Sequence, residues 1–357
     1  MKIERNLSFA DAICDTRSRK IKNIFFNQVN QLVDWKPISI IINKHYSRGT
    51  SATGKPAYDG LLLFKMSLLQ TWYGLSDYEV EDRINDSISF SKFCGLTMEE
   101  VAPDHSTLSR FRKELTNKKV YEKLLTALNQ QLEEHKIIVI KGAIVDASII
   151  DSTLKPKGKV NYQIEKDRDE RPRDDKEIEK EIKSNELLKI EQTSVDTEAA
   201  WIKKGGKLRY GYKKHIVTDE EGLVLGVTTT PANVNEIANL EDVLKDIKLP
   251  EGIPFFGDKG YQSAKNNELL KGKKLKNRLL KKAVKNKPLT KTELLFNKLC
   301  GKTRFKVERT FGSTRRWFNS SCARYRGIAK MHTQNIMEAM AYNLYRCPAI
   351  IATNSNK

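Results

Sequence analysis

No CxxC pair occurs in this 357-residue sequence, and its five cysteines, Cys14, Cys94, Cys300, Cys322 and Cys347, are odd in number and widely spread. That pattern excludes a zinc ribbon and a disulfide framework, and predicts single buried thiols. Long apolar runs are missing as well. Ile38 to Ile42 and Ile137 to Ile140 fall far short of the roughly 20 residues that a spanning helix needs. Met1 to Lys20 mixes charged and polar residues with no apolar signal core, so the expected location is the cytoplasm, with no membrane partner. Acidic residues are in short supply: 45 Asp+Glu against 64 Lys+Arg leave a net charge of +19. Such a balance attracts polyanions, nucleic acid before anionic membrane, although a basic, well-solvated surface satisfies the charge alone. Apolar residues, at 39%, are ordinary for a globular chain of one large or two smaller domains.

The first ~125 residues read as helical. Phe25 to Trp35 and Ile38 to Tyr46 predict two short helices separated by Pro37, followed by a turn-rich linker, Ser47 to Pro56. Leu61, Leu62, Met66, Leu69 and Trp72 recur at helical spacing, and further helices are predicted from Asp77 to Ile84 and from Ser106. In the last of these an Asp or Ser caps the N-terminus, and Leu108, Phe111 and Leu115 share one face. Arg110, Arg112 and Lys113 point elsewhere, as in a helix-turn-helix module that reads a major groove; a basic surface helix is the plainer alternative.

The pattern changes at Lys136. Ile137 to Ile150 is β-branched and apolar, and predicts a buried strand. Tyr210 to Thr218 and Leu223 to Thr230, joined by Asp219-Glu220-Glu221-Gly222, predict a hairpin. A helix over Glu236 to Ile247 and a short strand over Ile253 to Phe256 complete a mixed α/β core. Leu154 to Gly206 is dense in both charge signs from Glu165 to Glu191, and reads as an exposed insertion. Lys265 to Lys287 holds ten Lys/Arg and one acidic residue, with leucines interleaved. Its lysines, among them Lys273, Lys274, Lys281 and Lys282, suit a phosphate-tracking groove.

Three carboxylates stand out by position. Asp146 interrupts an apolar strand, where a charge is costly unless paired or bound to metal. Asp258 follows a short apolar strand, and the ends of central strands are where α/β sheets place their sites. Glu308 lies in a helical segment whose Val307, Phe311, Thr314 and Phe318 form one stripe, while Arg304, Glu308 and Arg315 form another, which turns a carboxylate towards metal and the guanidinium groups of Arg304 and Arg315 towards DNA phosphates. Singly, each carboxylate reads as a surface charge or a cap. Together, without Cys or His partners, they suit a hard cation held through oxygen, Mg²⁺ or Mn²⁺, two ions per site, and hence phosphodiester transfer. Lys259, beside Asp258, is a candidate phosphate contact. Trp317 suits base stacking or packing on the sheet equally. His215 and His332 read as structural.

The ordered motifs resemble a known family. Tyr58-Asp59-Gly60, Pro103 to Arg112, Val145-Asp146-Ala147-Ser148, Tyr210 to His215, Thr229 to Asn235, Gly257-Asp258-Lys259-Gly260-Tyr261, Glu308-Arg309-Thr310-Phe311 with Arg315-Arg316-Trp317, and Arg324-Tyr325-Arg326-Gly327 follow the order seen in bacterial insertion-sequence DDE transposases. The chain is most similar to the fifth family of the insertion-sequence scheme, within the fourth-and-fifth group. Around the glutamate that family carries Tyr, Arg, Glu and Lys. Arg304, Glu308 and Arg315 occupy three of these places, Arg315 standing for the Lys, and Gly301 stands at the Tyr place.

The resemblance implies an all-α DNA-binding domain over 1–130. An RNase H-like mixed sheet flanked by helices follows over 137–348, with the charged insertion at 154–206. It implies metal-dependent cleavage at the element ends, then strand transfer, with Asp146, Asp258 and Glu308 as catalytic and metal-binding residues. Double-stranded DNA (terminal inverted repeats and target), a homodimer or higher in the synaptic complex, and a nucleoid-associated bacterial protein are the implied partners and setting. The alternatives are an RNase H-like nuclease without strand transfer, and a non-catalytic DNA-binding regulator derived from a transposase.

Overall fold

The computed structural model describes residues 20–46, 58–156, 162–163, 188–189, 195–283 and 288–355. Met1 to Arg19, the linker 47–56, most of the charged insertion and residues 284–287 lie outside them. Among the described residues no helix is long and apolar enough to cross a membrane.

Among the described residues seven helices come first: α1 (Lys20–Leu32), α2 (Trp35–His45), α3 (Gly60–Tyr73), α4 (Asp77–Asp86), α5 (Ile88–Cys94), α6 (His105–Asn117) and α7 (Val120–Glu134). The break between α1 and α2 falls at Asp34, not at Pro37. Asp34 accepts from the Lys36 N–H as N-cap, and Pro37 sits in the first turn, where a missing N–H costs nothing. Ser76 and Glu79 form a capping box that starts α4. α3 is buried on nearly every face and is the central helix of this layer.

The sheet contains β1 (Ala143–Asp151), β4 (Ala200–Lys204), β5 (Lys207–Asp219), β6 (Val224–Pro231), β7 (Pro254–Gly257) and β8 (Lys276–Leu279). A separate short pair is β2 (Tyr162–Gln163) with β3 (Leu188–Lys189). A 3₁₀ turn (Glu236–Asn239) leads into α8 (Leu240–Leu244), and α9 (Ala264–Gly272), α10 (Lys291–Phe318) and α11 (Ile328–Ser355) complete the chain. β1 pairs antiparallel with β5, β5 with β6, and β1 pairs parallel with β7, as does β7 with β8. The core order β6-β5-β1-β7-β8 is the RNase H-like mixed sheet expected from the motifs.

Four expectations need correction. The first strand starts at Ala143, because Ile137 and Ile138 turn back to bond Leu132 O at the end of α7. Only a short 3₁₀-plus-α segment replaces the longer helix expected over Glu236 to Ile247. The basic run contains a strand, β8. Finally, the end of the presumed insertion is integral to the sheet: β4 pairs with β5, and buried Asp196 accepts from the Tyr212 hydroxyl.

The helical layer and the sheet share one apolar core, in which Leu63, Leu69 and Phe111 belong with Ile144, Ile216, Phe256, Val307 and Met340. α11 binds both layers. Trp72 donates to Ala341 O at 2.9 Å, and Asn343 bonds Val224 at the start of β6. A buried Lys214–Glu338 pair at 2.6 Å joins the sheet to the same helix. Cys94, Cys300 and Cys347 are buried free thiols and Cys322 is half-buried, as the cysteine spacing predicts.

Candidate active site

The parallel pairing of β1 and β7 sets Val145 beside Gly257. One residue further on are Asp146, inside β1, and Asp258, just past the end of β7. In-register parallel neighbours lie about 4.8 Å apart and point to the same face. Register alone thus brings the two carboxylates together from distant points of the chain. Gly257 is required there: a Cβ would meet Leu279 Cδ2 at 2.6 Å and Val145 Cγ1 at 2.7 Å. Asp146 Oδ1 accepts from the Ala147 N–H at 2.8 Å, and Asp258 Oδ1 from the Lys259 N–H at 2.7 Å, starting the short 3₁₀ turn Lys259–Tyr261.

α10 crosses this end of the sheet. Its stripe of Val307, Thr310, Phe311, Thr314 and Phe318 is buried as its spacing predicts, and Thr310 donates to Gly222 O in the β5–β6 turn at 2.8 Å. That docking aims Arg304 between the two aspartates. Its guanidinium lies 3.1 Å from Asp146 Oδ2 and 3.4 Å from Asp258 Oδ1, and 4.0 Å from Glu308 Oε1 on the next turn. Arg304 and Asp146 are largely buried, whereas the Glu308 side chain is 59% exposed. Among the described residues no group of three or more His, Cys, Asp or Glu converges as metal ligands. Two of the three predicted carboxylates are assembled, and the third stands beside them. Burial is the main influence on Asp146 and pushes its carboxyl up, opposed by Arg304 and the Ala147 N–H.

A cavity of about 250 Å³ opens over the pair, lined by Asp146, Asp258, Lys259, Lys282, Lys204, Glu236 and Tyr261 among others. Its floor is Tyr261, fully buried, whose hydroxyl bonds His215 Nδ1; His215 Nε2 reaches Thr230. Burial pushes the His215 imidazole down to about 4, so it is neutral and structural. Lys204 and Glu236 were not singled out from the sequence. The turn Lys203-Lys204-Gly205-Gly206-Lys207 was the available signal for Lys204. Glu236 is held by the buried Lys213 at 2.9 Å.

The other predicted contacts divide. Lys259 and Lys282 face the cavity, and Arg315, exposed on α10, donates to Ser148 Oγ at 2.6 Å. Lys281 sits at the same end of β8, over the Phe296 ring. Lys273 and Lys274 precede β8 and lie at the opposite end of the sheet, where Lys274 pairs with Glu251. The basic run is therefore not one continuous groove. Arg110 is exposed on α6 and bonds back to Ser106 and Thr107. Arg112 is a correction: it is 8% exposed, pairs with Asp77 and lies 4.7 Å from the Tyr325 ring, so its charge is spent inside the helical layer. Trp317 packs on Tyr342 and Tyr345, which favours its structural alternative. His332 contacts Thr229 and Glu122 and is structural as read.

An RNase H-like sheet with one aspartate inside its first strand and a second just past the end of the adjacent parallel strand is the class of fold and site that DDE enzymes share. The family model described as "Transposase DDE domain" matches residues 140–344, more than half of the chain. The chain therefore belongs to the DDE transposase family and is a transposase of an insertion sequence. A second model, "Transposase domain (DUF772)", matches residues 15–114, the helical layer. The chain is 35% identical over 239 residues to the transposase for insertion sequence element IS1106 of Neisseria meningitidis serogroup B, covering 66% of this chain and 76% of that protein. Among solved structures it resembles the piggyBac transposase synaptic complex with hairpin DNA (TM-score 0.41, 10% identity, 97% of this chain and 76% of that chain). It also resembles the Mos1 strand transfer complex (TM-score 0.19, 12% identity, 84% of this chain and 81% of that chain). At those scores the structural likenesses carry no argument, and the family rests on the sequence matches. The family generally uses a divalent metal.

Proposed function

We propose that this transposase cleaves DNA at the terminal inverted repeats of its element and joins the freed 3′ ends to target DNA, with Asp146, Asp258 and Glu308 as its metal-binding residues. The observation that carries the reading is the placement of Asp146 and Asp258, each one residue past the paired Val145 and Gly257, around a single positive group. The donor set is all oxygen, without sulfur or imidazole, which fits Mg²⁺ or Mn²⁺. Two such ions would supply charge neutralisation and in-line alignment for phosphodiester transfer.

The chain's own residues do the rest. Asp146 and Asp258 hold one end of the site rigid, because each is fixed by a backbone N–H. Glu308, exposed on α10, would complete the oxygen donor set. Lys259, Lys282 and Lys204 rim the cavity and hold phosphates, with Arg315 further along α10. Tyr261 and His215 close the floor against water. Arg110 on α6 is the candidate contact of the helical layer with double-stranded DNA. Pairing of two element ends calls for at least a dimer on DNA, in the bacterial cytoplasm at the nucleoid.

The test is a cleavage and joining assay on the element's terminal inverted repeats with Mg²⁺ or Mn²⁺. Asp146→Asn should abolish both steps, and equal cleavage by the variant would sink the mechanism. Strand transfer from a pre-cleaved end separates this reading from a nuclease that cuts without joining.

A further inference from the structure

Arg304 is more deeply placed than a DNA contact needs to be. Its guanidinium is aimed at Asp146 Oδ2 and Asp258 Oδ1, and its buried Nε finds no hydrogen-bond partner among the described residues. A buried N–H donor without an acceptor is costly, so something else holds the side chain there. Two carboxylates side by side in a half-buried cleft supply it. Their mutual repulsion is large unless a cation lies between them, and the guanidinium is that cation. Glu308, meanwhile, is exposed, its Oε1 4.0 Å from the same guanidinium.

We propose that Arg304 is a placeholder cation. It holds Asp146 and Asp258 together in the protein free of metal and DNA, and it leaves for a DNA phosphate when a divalent ion takes the same oxygens. This rests on the metal-binding reading above. The guanidinium and a divalent ion need the same Oδ atoms, so their occupancy is mutually exclusive. The cost of displacing Arg304 therefore lowers the apparent metal affinity of the DNA-free protein. A phosphate beside the cleft offers Arg304 a bidentate partner and removes that penalty. By linkage, DNA then tightens metal binding and metal tightens DNA binding, so the site becomes loaded on DNA rather than in free solution.

The test is Mn²⁺ binding to the DNA-free protein, followed by electron paramagnetic resonance of the free ion, for wild type, Arg304→Gln and Asp146→Asn. Arg304→Gln should bind Mn²⁺ about tenfold more tightly, the equivalent of about 1.4 kcal/mol, and Asp146→Asn should lose the site. If Asp146→Asn loses binding but Arg304→Gln binds no better than wild type, the placeholder is overturned and the metal reading stands. If Asp146→Asn binds as wild type does, the metal reading falls and the placeholder with it. A second measurement needs no variant: modification of Arg304 by phenylglyoxal, read by mass spectrometry. Mg²⁺ should raise its rate severalfold in the wild-type protein, and an unchanged rate overturns the proposal.

Discussion

Arg110 and Arg112 are two residues apart on one helix, yet the structure assigns them opposite roles, and replacing each by alanine tests that assignment. Arg112 bonds Asp77 through both terminal nitrogens, at 2.5 and 3.2 Å, and its planar group lies over Tyr325. Removing one member of a buried pair leaves the other charge uncompensated, which costs about 3–5 kcal/mol when both are fully buried. Asp77 is 26% exposed, so water recovers part of this, and about 2–3 kcal/mol remains. With a urea slope of about 3 kcal/mol/M, Arg112→Ala should lower the unfolding midpoint by about 1 M. Far-ultraviolet circular dichroism over a urea series measures it. Arg110→Ala should leave the midpoint within error, because its side chain bonds only its own first turn. It should instead weaken DNA binding and reduce the salt slope by about 1. The reasoning is refuted if Arg112→Ala is as stable as wild type and has lost DNA affinity.

Three further outcomes are expected. Lys282→Ala, at the cavity, should weaken binding to duplex DNA and flatten its salt dependence, whereas Lys274→Ala, paired with Glu251 at the far end of the sheet, should change neither; equal losses in a salt-series binding assay would contradict the split of the basic run. Gly257→Ala places a methyl against Leu279 and Val145 and displaces the strand that delivers Asp258, so cleavage should fall by at least about tenfold for a stability loss of about 1–3 kcal/mol; full cleavage activity would show that the register tolerates the shift. Burial raises the Asp219 carboxyl to about 7, against the pull of the Leu223 and Glu221 N–H groups. A folded-state value raised above the unfolded one means stability that is present in acid and lost as pH rises towards and through 7. Asp219→Asn, which keeps the Oδ1 acceptor, should therefore raise the melting temperature at pH 8 and not at pH 4; no gain at pH 8 would refute it.

Local chemistry made much of this protein legible in advance. Asp146 stands out because a charge in a β-branched apolar run needs a partner, and it has one in Arg304. Asp258 was marked by its place just past a short strand, and the α10 stripe by its helical period. The β5–β6 hairpin followed from alternation around Asp219 to Gly222. The misreadings share one cause. Lys276 to Leu279 looks like solvated charge, because its only reason to be extended is a parallel partner, β7. Ala200 to Lys204 looks like the tail of an insertion, because its partner is the early part of β5. Arg112 looks like its neighbour Arg110, because Asp77, which binds it, is 35 residues earlier.

The sequence by itself determined the class of the sheet, the two aspartates, the buried stripe of α10 and the family. Tertiary structure alone decided that Val145 stands beside Gly257, that Arg304 sits between the aspartates while Glu308 is exposed, and which cations face the cleft. Period, capping and the cost of a buried charge are properties of neighbouring residues and can be read along the chain. Register and ion pairing join residues distant in sequence, and which distant partner a strand or a charge meets is set by the packing of the whole molecule.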